Sequence, residues 1–415
     1  MIQSNAGQLK SIEEAKLPWR DWILLPMLSL LTICLLLGCS EFIARRVLPA
    51  SGTGLVNCTE KDPVWGLRAK ANTVCFEKLA ESQFVTEYRF NNCGHRAGME
   101  CGPKPPGTYR MVMTGSSMAM GLYTPREMAF AALLPKELSR QTGRTIEVYD
   151  EARGWAFPPR AVAQSFNEVL SADPDMILWV ITAMDIRQEP FEGPDPGRAK
   201  VAAEVAAEPV NRSSHLAVVW HKVKVALAAG SLEQGLRDIW EQTRTAIALR
   251  HFLYEGESRQ QYVEAYLRNG DDETGFLKAQ PSARWESRLG QTNVDAADIE
   301  ARAKAAGVPL VAVLVPERPQ AAMIAMKEWP AGYNPFKLDD ELRSIITSHG
   351  ETYIDILPDY RNIPNPEQGY FPVDGHLNAD GHRIVSGLLA KALTSGAVPA
   401  LRVAAQPQAA QEQGR

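Results

Sequence analysis

A hydroxyl, a carboxylate and an imidazole stand far apart in this chain, each in a setting that suits chemistry. Ser117 lies in GSSMAMG, Gly115 to Gly121, where an apolar run stops and two glycines bracket a polar pair. Asp374 and His376 lie in DGHLNADGHR, near the far end. A serine hydroxyl attacks poorly unless a base is within hydrogen-bonding reach and a third group orients that base. An imidazole with a carboxylate behind it can take the serine proton and later return it, so the three side chains could carry acyl transfer through a covalent intermediate.

The intervening elements must bring these groups together. YRMVMTG (Tyr109 to Gly115) reads as a buried strand, PREMAFAALLPKELSRQTG as a helix opened by proline, and TIEVYDEA (Thr145 to Ala152) as a second strand. PPRAVAQSFNEVLSADP is a second helix, and DMILWVITAMD (Asp175 to Asp185) a mostly apolar third strand. Strand and helix alternate, which predicts a parallel sheet with helices on both faces. From Ile186 to about Gly307 only helical patterns occur, such as SLEQGLRDIWEQTRTAIALRHFLYEG, and this stretch reads as a helical insertion. The alternation resumes with VPLVAVLVPE, LDDELRSIITSHG, ETYIDILP and a final helix from about Asn378 to Leu393. In open parallel sheets ligands gather at the carboxyl ends of the strands, and Ser117 follows the first strand there.

Several blocks resemble those of the SGNH, or GDSL, hydrolases. GSSMAMG is similar to their G-D-S-x-x-x-G block with Ser116 in place of Asp, DGHLNADGHR to their C-terminal Asp/His block, and DEARGWAF to the block whose glycine, here Gly154, donates a backbone N–H to the oxyanion. WVITAMD stands where the family has G-x-N-D, and TEYRFNNCGHRAG resembles the lead-in of membrane-anchored members. The resemblance covers about Tyr109 to Leu393 apart from the insertion. It implies a three-layer α/β/α, flavodoxin-like fold and a serine esterase, with Ser117 as nucleophile, His376 as base, Asp374 as its orienter, and no metal or organic cofactor.

At one position the sequence departs from the family in a way that bears on rate. Met184 stands where the family's Asn helps bind the oxyanion, and losing one such donor costs roughly 2.7–4 kcal/mol. The remaining hole would be the Ser117 and Gly154 N–H groups with help from Thr182. Two rival functions stay open: an acyltransferase using the same acyl-enzyme, and an inactive relative that binds glycan or protein. Trp155 and Pro316 are candidates to line the substrate pocket, with Phe157 and Arg318 as core and solvent alternatives. Trp240, Phe252 and Tyr254 read as helix packing within the insertion. A metal set of Asp374, His376 and His382 has the wrong helical spacing, so His382 is expected to buttress the last helix.

The chain's ends and balance supply the context. With 415 residues, 45% of them hydrophobic, and a net charge of -5, the sequence suits a large globular domain, and no basic block marks it for nucleic acid. WILLPMLSLLTICLLLGCS carries no charge and is long enough to cross a bilayer, with Lys10, Lys16 and Arg20 before it. We read residues 1–21 as a cytoplasmic segment and 22–44 as an anchor or signal, with lipidation at Cys39 in LLGC as the alternative. Residues 45–106 are a lead-in whose Cys58, Cys75, Cys93 and Cys101 would pair outside the cytosol, most economically as Cys58–Cys75 and Cys93–Cys101 among three connectivities. Residues 107–396 form the hydrolase-like domain and 397–415 a disordered tail. The expected substrate is an acyl ester, acetyl being one candidate, on an envelope or secreted polysaccharide.

Overall fold

The computed structural model describes residues 19–52, 54–62, 66–189 and 240–402. Its centre is a five-stranded parallel sheet of β1 (Thr108–Gly115), β2 (Thr145–Asp150), β3 (Met176–Ile181), β4 (Leu310–Leu314) and β5 (Thr352–Tyr353). The strands lie in the order β5-β4-β3-β1-β2, with Met113 opposite Asp150 on one side and Leu178 on the other. This is the flavodoxin-like order, in which the chain reverses direction across the sheet between β1 and β3 and leaves a crevice at their carboxyl ends. All residues of β3 and β4 are buried, as strands covered on both faces must be.

Right-handed crossovers sort the helices into two layers. The β1–β2 helix α2 (Phe130–Thr142) packs against the last long helix, Ala379–Ala392, on one side of the sheet. On the other side α3 (Pro159–Ser171) packs against the long helix Ala283–Ala305, which in turn meets Lys337–Ser348. The structure therefore has the three-layer α/β/α architecture. It also narrows the expected insertion: Ala283–Ala305 is the crossover from β3 to β4 and belongs to the core layer, with Trp285, Ala296, Ile299 and Ala303 buried. After α4 (Ala183–Arg187), the added helices that are described are α5 (Arg244–Gly256), α6 (Arg259–Tyr266) and the single turn Asp271–Thr274, followed by a 3-10 turn, Gly275–Leu277. The start of the helical pattern expected from Ser231 lies outside the described residues.

The boundaries at the chain's end also move. The fifth strand is only two residues long, and just beyond it Asp355 pairs with Arg343 of the neighbouring helix. Val398 and Leu401 are buried in the core, so the folded part runs beyond residue 396, and residues 403–415 of the expected tail lie outside the described ones.

The lead-in is held by two disulfides, Cys58–Cys75 and Cys93–Cys101. From it Leu55, Tyr88, Phe90 and Ala97 enter the same core as the sheet, Tyr88 from one of its short antiparallel strands. Ahead of it, α1 (Asp21–Val47) is one helix of 27 residues with mean hydropathy 2.3 across its apolar stretch, none of which is buried. It is long and apolar enough to cross a bilayer. Its last turn docks on α5, where the Thr245 N–H donates to Glu41 Oε2 at 2.9 Å, and Ala44 and Leu48 are buried.

Candidate active site

Ser117 opens a one-turn helix, Ser117–Met120, directly after β1. Glycine is required on either side of it. A Cβ on Gly115 would lie 2.6 Å from the Val180 carbonyl oxygen of β3, and Gly121 ends the turn at a φ of +77°. The lead-in fastens this turn from outside. The buried Arg96 guanidinium donates to the carbonyls of Met120 (2.9 Å), Gly121 (2.8 Å) and Thr124 (2.8 Å) and lies over the Tyr88 ring. The Tyr88 hydroxyl accepts the N–H of Tyr123, a non-glycine residue held at a φ of +62°.

The far end of the chain meets this turn. Ser117 Oγ lies 2.8 Å from His376 Nε2, and His376 Nδ1 lies 2.6 Å from Asp374 Oδ1. The same carboxylate oxygen accepts the His376 backbone N–H at 3.1 Å, and the Tyr123 ring stands edge-on to the imidazole at 5.6 Å. Asn378 then caps the helix Ala379–Ala392 by accepting the N–H groups of Asp380 and Gly381. His382 sits inside that helix, buried, with Nδ1 accepting the Phe130 N–H at 3.3 Å. Burial, then the nearby Arg96 charge, pushes its pKa down to about 3. Its ring is a packed, neutral strut.

The expected oxyanion donors are arranged differently. The Ser117 N–H donates to the Trp155 carbonyl at 3.2 Å. Just before it, Glu151 N–H to Met113 O and Arg153 N–H to Gly115 O carry the β1–β2 ladder past the end of β2. Among the described residues the Gly154 N–H makes no hydrogen bond. Thr182 does not point its hydroxyl at the site, because that group donates to Asp185 Oδ2 at 2.8 Å in a capping box that starts α4. Met184 is half-buried beside Arg187, and its thioether supplies no donor.

Asp185, which sequence reasoning passed over as the residue after Met184, is the hub of this region. Its buried carboxylate accepts from Ser116 Oγ (3.1 Å), the Thr182 N–H (2.9 Å), the Thr182 hydroxyl and the Phe157 N–H (2.9 Å). Burial pushes its pKa up to about 6, against the pull of those donors. Ser116 thus ties the nucleophile turn to the loops after β2 and β3.

Two cavities flank the serine, although Ser117 and His376 line neither. One, of about 600 Å³, is bordered by Gly154, Trp155, Tyr149, His95 and Glu151. Burial drives the His95 pKa down to about 4 and the Glu151 pKa up to about 8. The other, of about 660 Å³, lies on the His376 side between Tyr123, Phe371, Pro372, Phe84 and Tyr254. Trp155 borders the first of these cavities. Pro316 is buried, and its carbonyl accepts the Tyr370 hydroxyl at 2.7 Å. Arg318 is buried too: it stacks over Tyr262 at 3.9 Å and donates to the Pro372 carbonyl at 2.5 Å. Phe157 is core, Phe252 and Trp240 are exposed, and Tyr254 both packs on Tyr262 and borders the second cavity.

The sequence matches no protein-family model and no curated protein. Among solved structures it is similar to an α/β hydrolase enzyme from the metagenome of Lake Arreo, Spain, at 13% identity and a TM-score of 0.35, covering 71% of this chain and 96% of that one. An acetylxylan esterase from Geobacillus stearothermophilus gives 10% identity and a TM-score of 0.35, covering 69% and 94%. A two-domain esterase active on acetylated mannans gives 11% and 0.30, covering 72% and 51%. The fold assignment rests on the strand order of this chain.

Proposed function

We propose that this protein is a serine esterase of the SGNH kind that cleaves acyl esters carried by a polysaccharide outside the cytoplasm. The observation that carries the reading is the continuous relay from Ser117 Oγ through His376 to Asp374, at 2.8 and 2.6 Å. Ser117 attacks the acyl carbonyl while His376 Nε2 takes its proton, and Asp374 holds the imidazole in the tautomer with Nδ1–H and stabilises its charged form. His376 then returns the proton to the leaving alcohol, and water repeats the sequence to release the acid. This route needs no metal or organic cofactor. For the oxyanion to be held, the Ser117 N–H must exchange the Trp155 carbonyl for the developing charge, with the Gly154 N–H as second donor. The aromatic walls of the cavity on the His376 side suit a sugar ring. The apolar α1 and the paired cysteines favour an extracytoplasmic, membrane-associated location.

The same cavity favours acyl transfer as the second reading, since the insertion helix α5 walls it and an acceptor hydroxyl would enter beside the imidazole. The test is p-nitrophenyl acetate hydrolysis by the full chain in detergent micelles. The esterase reading expects turnover that falls at least about 1,000-fold in Ser117→Ala. Acceleration on adding xylo-oligosaccharide, with an acylated sugar as product, selects transfer. Equal rates for wild type and Ser117→Ala sink both readings and leave a binding protein.

A further inference from the structure

The loop that carries Asp374 and His376 has little secondary structure of its own, yet His376 reaches Ser117. Its internal bonds are the Gly375 N–H to Phe371 O at 3.0 Å and the Phe371 N–H to His376 O at 2.8 Å. Those bonds shape the turn but do not attach it to anything. Leu377, next to His376, is attached through its carbonyl to the Thr124 hydroxyl at 3.2 Å, and Arg318 holds the Pro372 carbonyl. The attachment at Val373 and Asp374 comes from the lead-in. The side chain of Glu81 is 1% exposed, and its carboxylate accepts the Val373 N–H at 2.9 and 3.2 Å and the Asp374 N–H at 2.9 Å. Its Oε1 also meets His251 Nδ1 of α5 at 3.0 Å.

We propose that Glu81 is a positioning residue: by holding the backbone N–H groups of Val373 and Asp374 it sets the height of the Asp374–His376 pair over Ser117. The proposal rests on the esterase reading. Charge-assisted bonds from two consecutive amides fix both the position and the tilt of a short loop, which one bond would not. His251 closes the arrangement from the insertion side, so a lead-in residue and an insertion residue together clamp a loop that belongs to neither. Glu81 touches no reacting atom; it acts through Asp374.

The test measures p-nitrophenyl acetate kinetics of the full chain for Glu81→Ala, Glu81→Gln, Asp374→Asn and the double variant Glu81→Ala/Asp374→Asn. Displacing a catalytic group by about 1 Å costs about 100-fold, so Glu81→Ala is expected to lower kcat by about 10- to 100-fold with KM little changed. Gln keeps an acceptor for both amides and can donate to His251, so it should restore most of the loss. The double variant should lose no more than Asp374→Asn alone. Wild-type kcat in Glu81→Ala, or losses that multiply in the double variant, would overturn the proposal. If Glu81→Ala does not fold, Glu81→Met replaces it; a chain that fails to fold with both makes Glu81 a structural staple and overturns the proposal too. An unaffected Ser117→Ala would instead remove the esterase reading beneath it.

Discussion

The two halves of the relay are held in different ways. Ser117 stands two residues past an eight-residue strand, with its own N–H bonded to the Trp155 carbonyl, Arg96 gripping the carbonyls beyond it, and Ser116 bonded to the buried Asp185. His376 stands in a loop outside the long strands, held by the side chains of Glu81, Arg318 and Thr124. Ser117 is placed chiefly by the fold; His376 is placed largely by side chains reaching in from elsewhere. Burial moves pKa values on both sides: Asp150, Glu151, Asp185 and His95 on the serine side, Tyr123 and His382 on the imidazole side.

The comparison breaks most readily at Arg96. Arg96→Met leaves carbonyls of Met120, Gly121 and Thr124 without their donor, and is expected to cost at least about 3 kcal/mol in urea denaturation and to lower ester turnover. An unchanged midpoint and rate would mean that the sheet alone holds the serine turn. Next in size is a pH effect at Glu151, whose pKa is raised by burial from 4.5 to about 8. The folded state binds this proton more tightly than the unfolded chain, so the group's stabilisation is full below about pH 4.5 and is lost as pH rises toward 8. Glu151→Gln should therefore flatten the alkaline decline, by about 2 kcal/mol between pH 6 and 8, in urea midpoints measured along that range. The acid limb should survive in the variant. His95 and His382, depressed to about 4 and 3, lose stability as pH falls from 6.5 through those values. The smallest expected effect is Asp185→Asn. The amide keeps one acceptor oxygen for donors that now share two, costing about 1–2 kcal/mol in the same assay, with the Thr182 cap loosened.

What the sequence displayed follows the same line. The sheet side was legible because apolar runs, breakers and helical patterns repeat at fixed lengths, so the strand ends, and hence the meeting of Ser117 with His376, could be anticipated. Arg96, Glu81 and His251 were not. Arg96 and Glu81 lie in a lead-in whose path depends on tertiary packing and disulfides, where nothing in EYRFNNCGHRAG or LAESQ distinguishes a buried clamp from a solvated charge, and the helical pattern around His251 does not tell which side chain it meets. No strand pattern announces that the Ser117 N–H is engaged by the Trp155 carbonyl. Thr182 was read as a donor to substrate, although a Thr followed at the third position by Asp is also a helix-start signature.

No slack separates α1 from the body it precedes. With Ala44 and Leu48 already packed into the fold and Glu41 bonded to α5, a bilayer-spanning α1 would leave the domain without a leash. It could neither swing nor reach, and would work like a tool bolted to a bench: only material threaded past one fixed spot near the lipid would ever be presented to it.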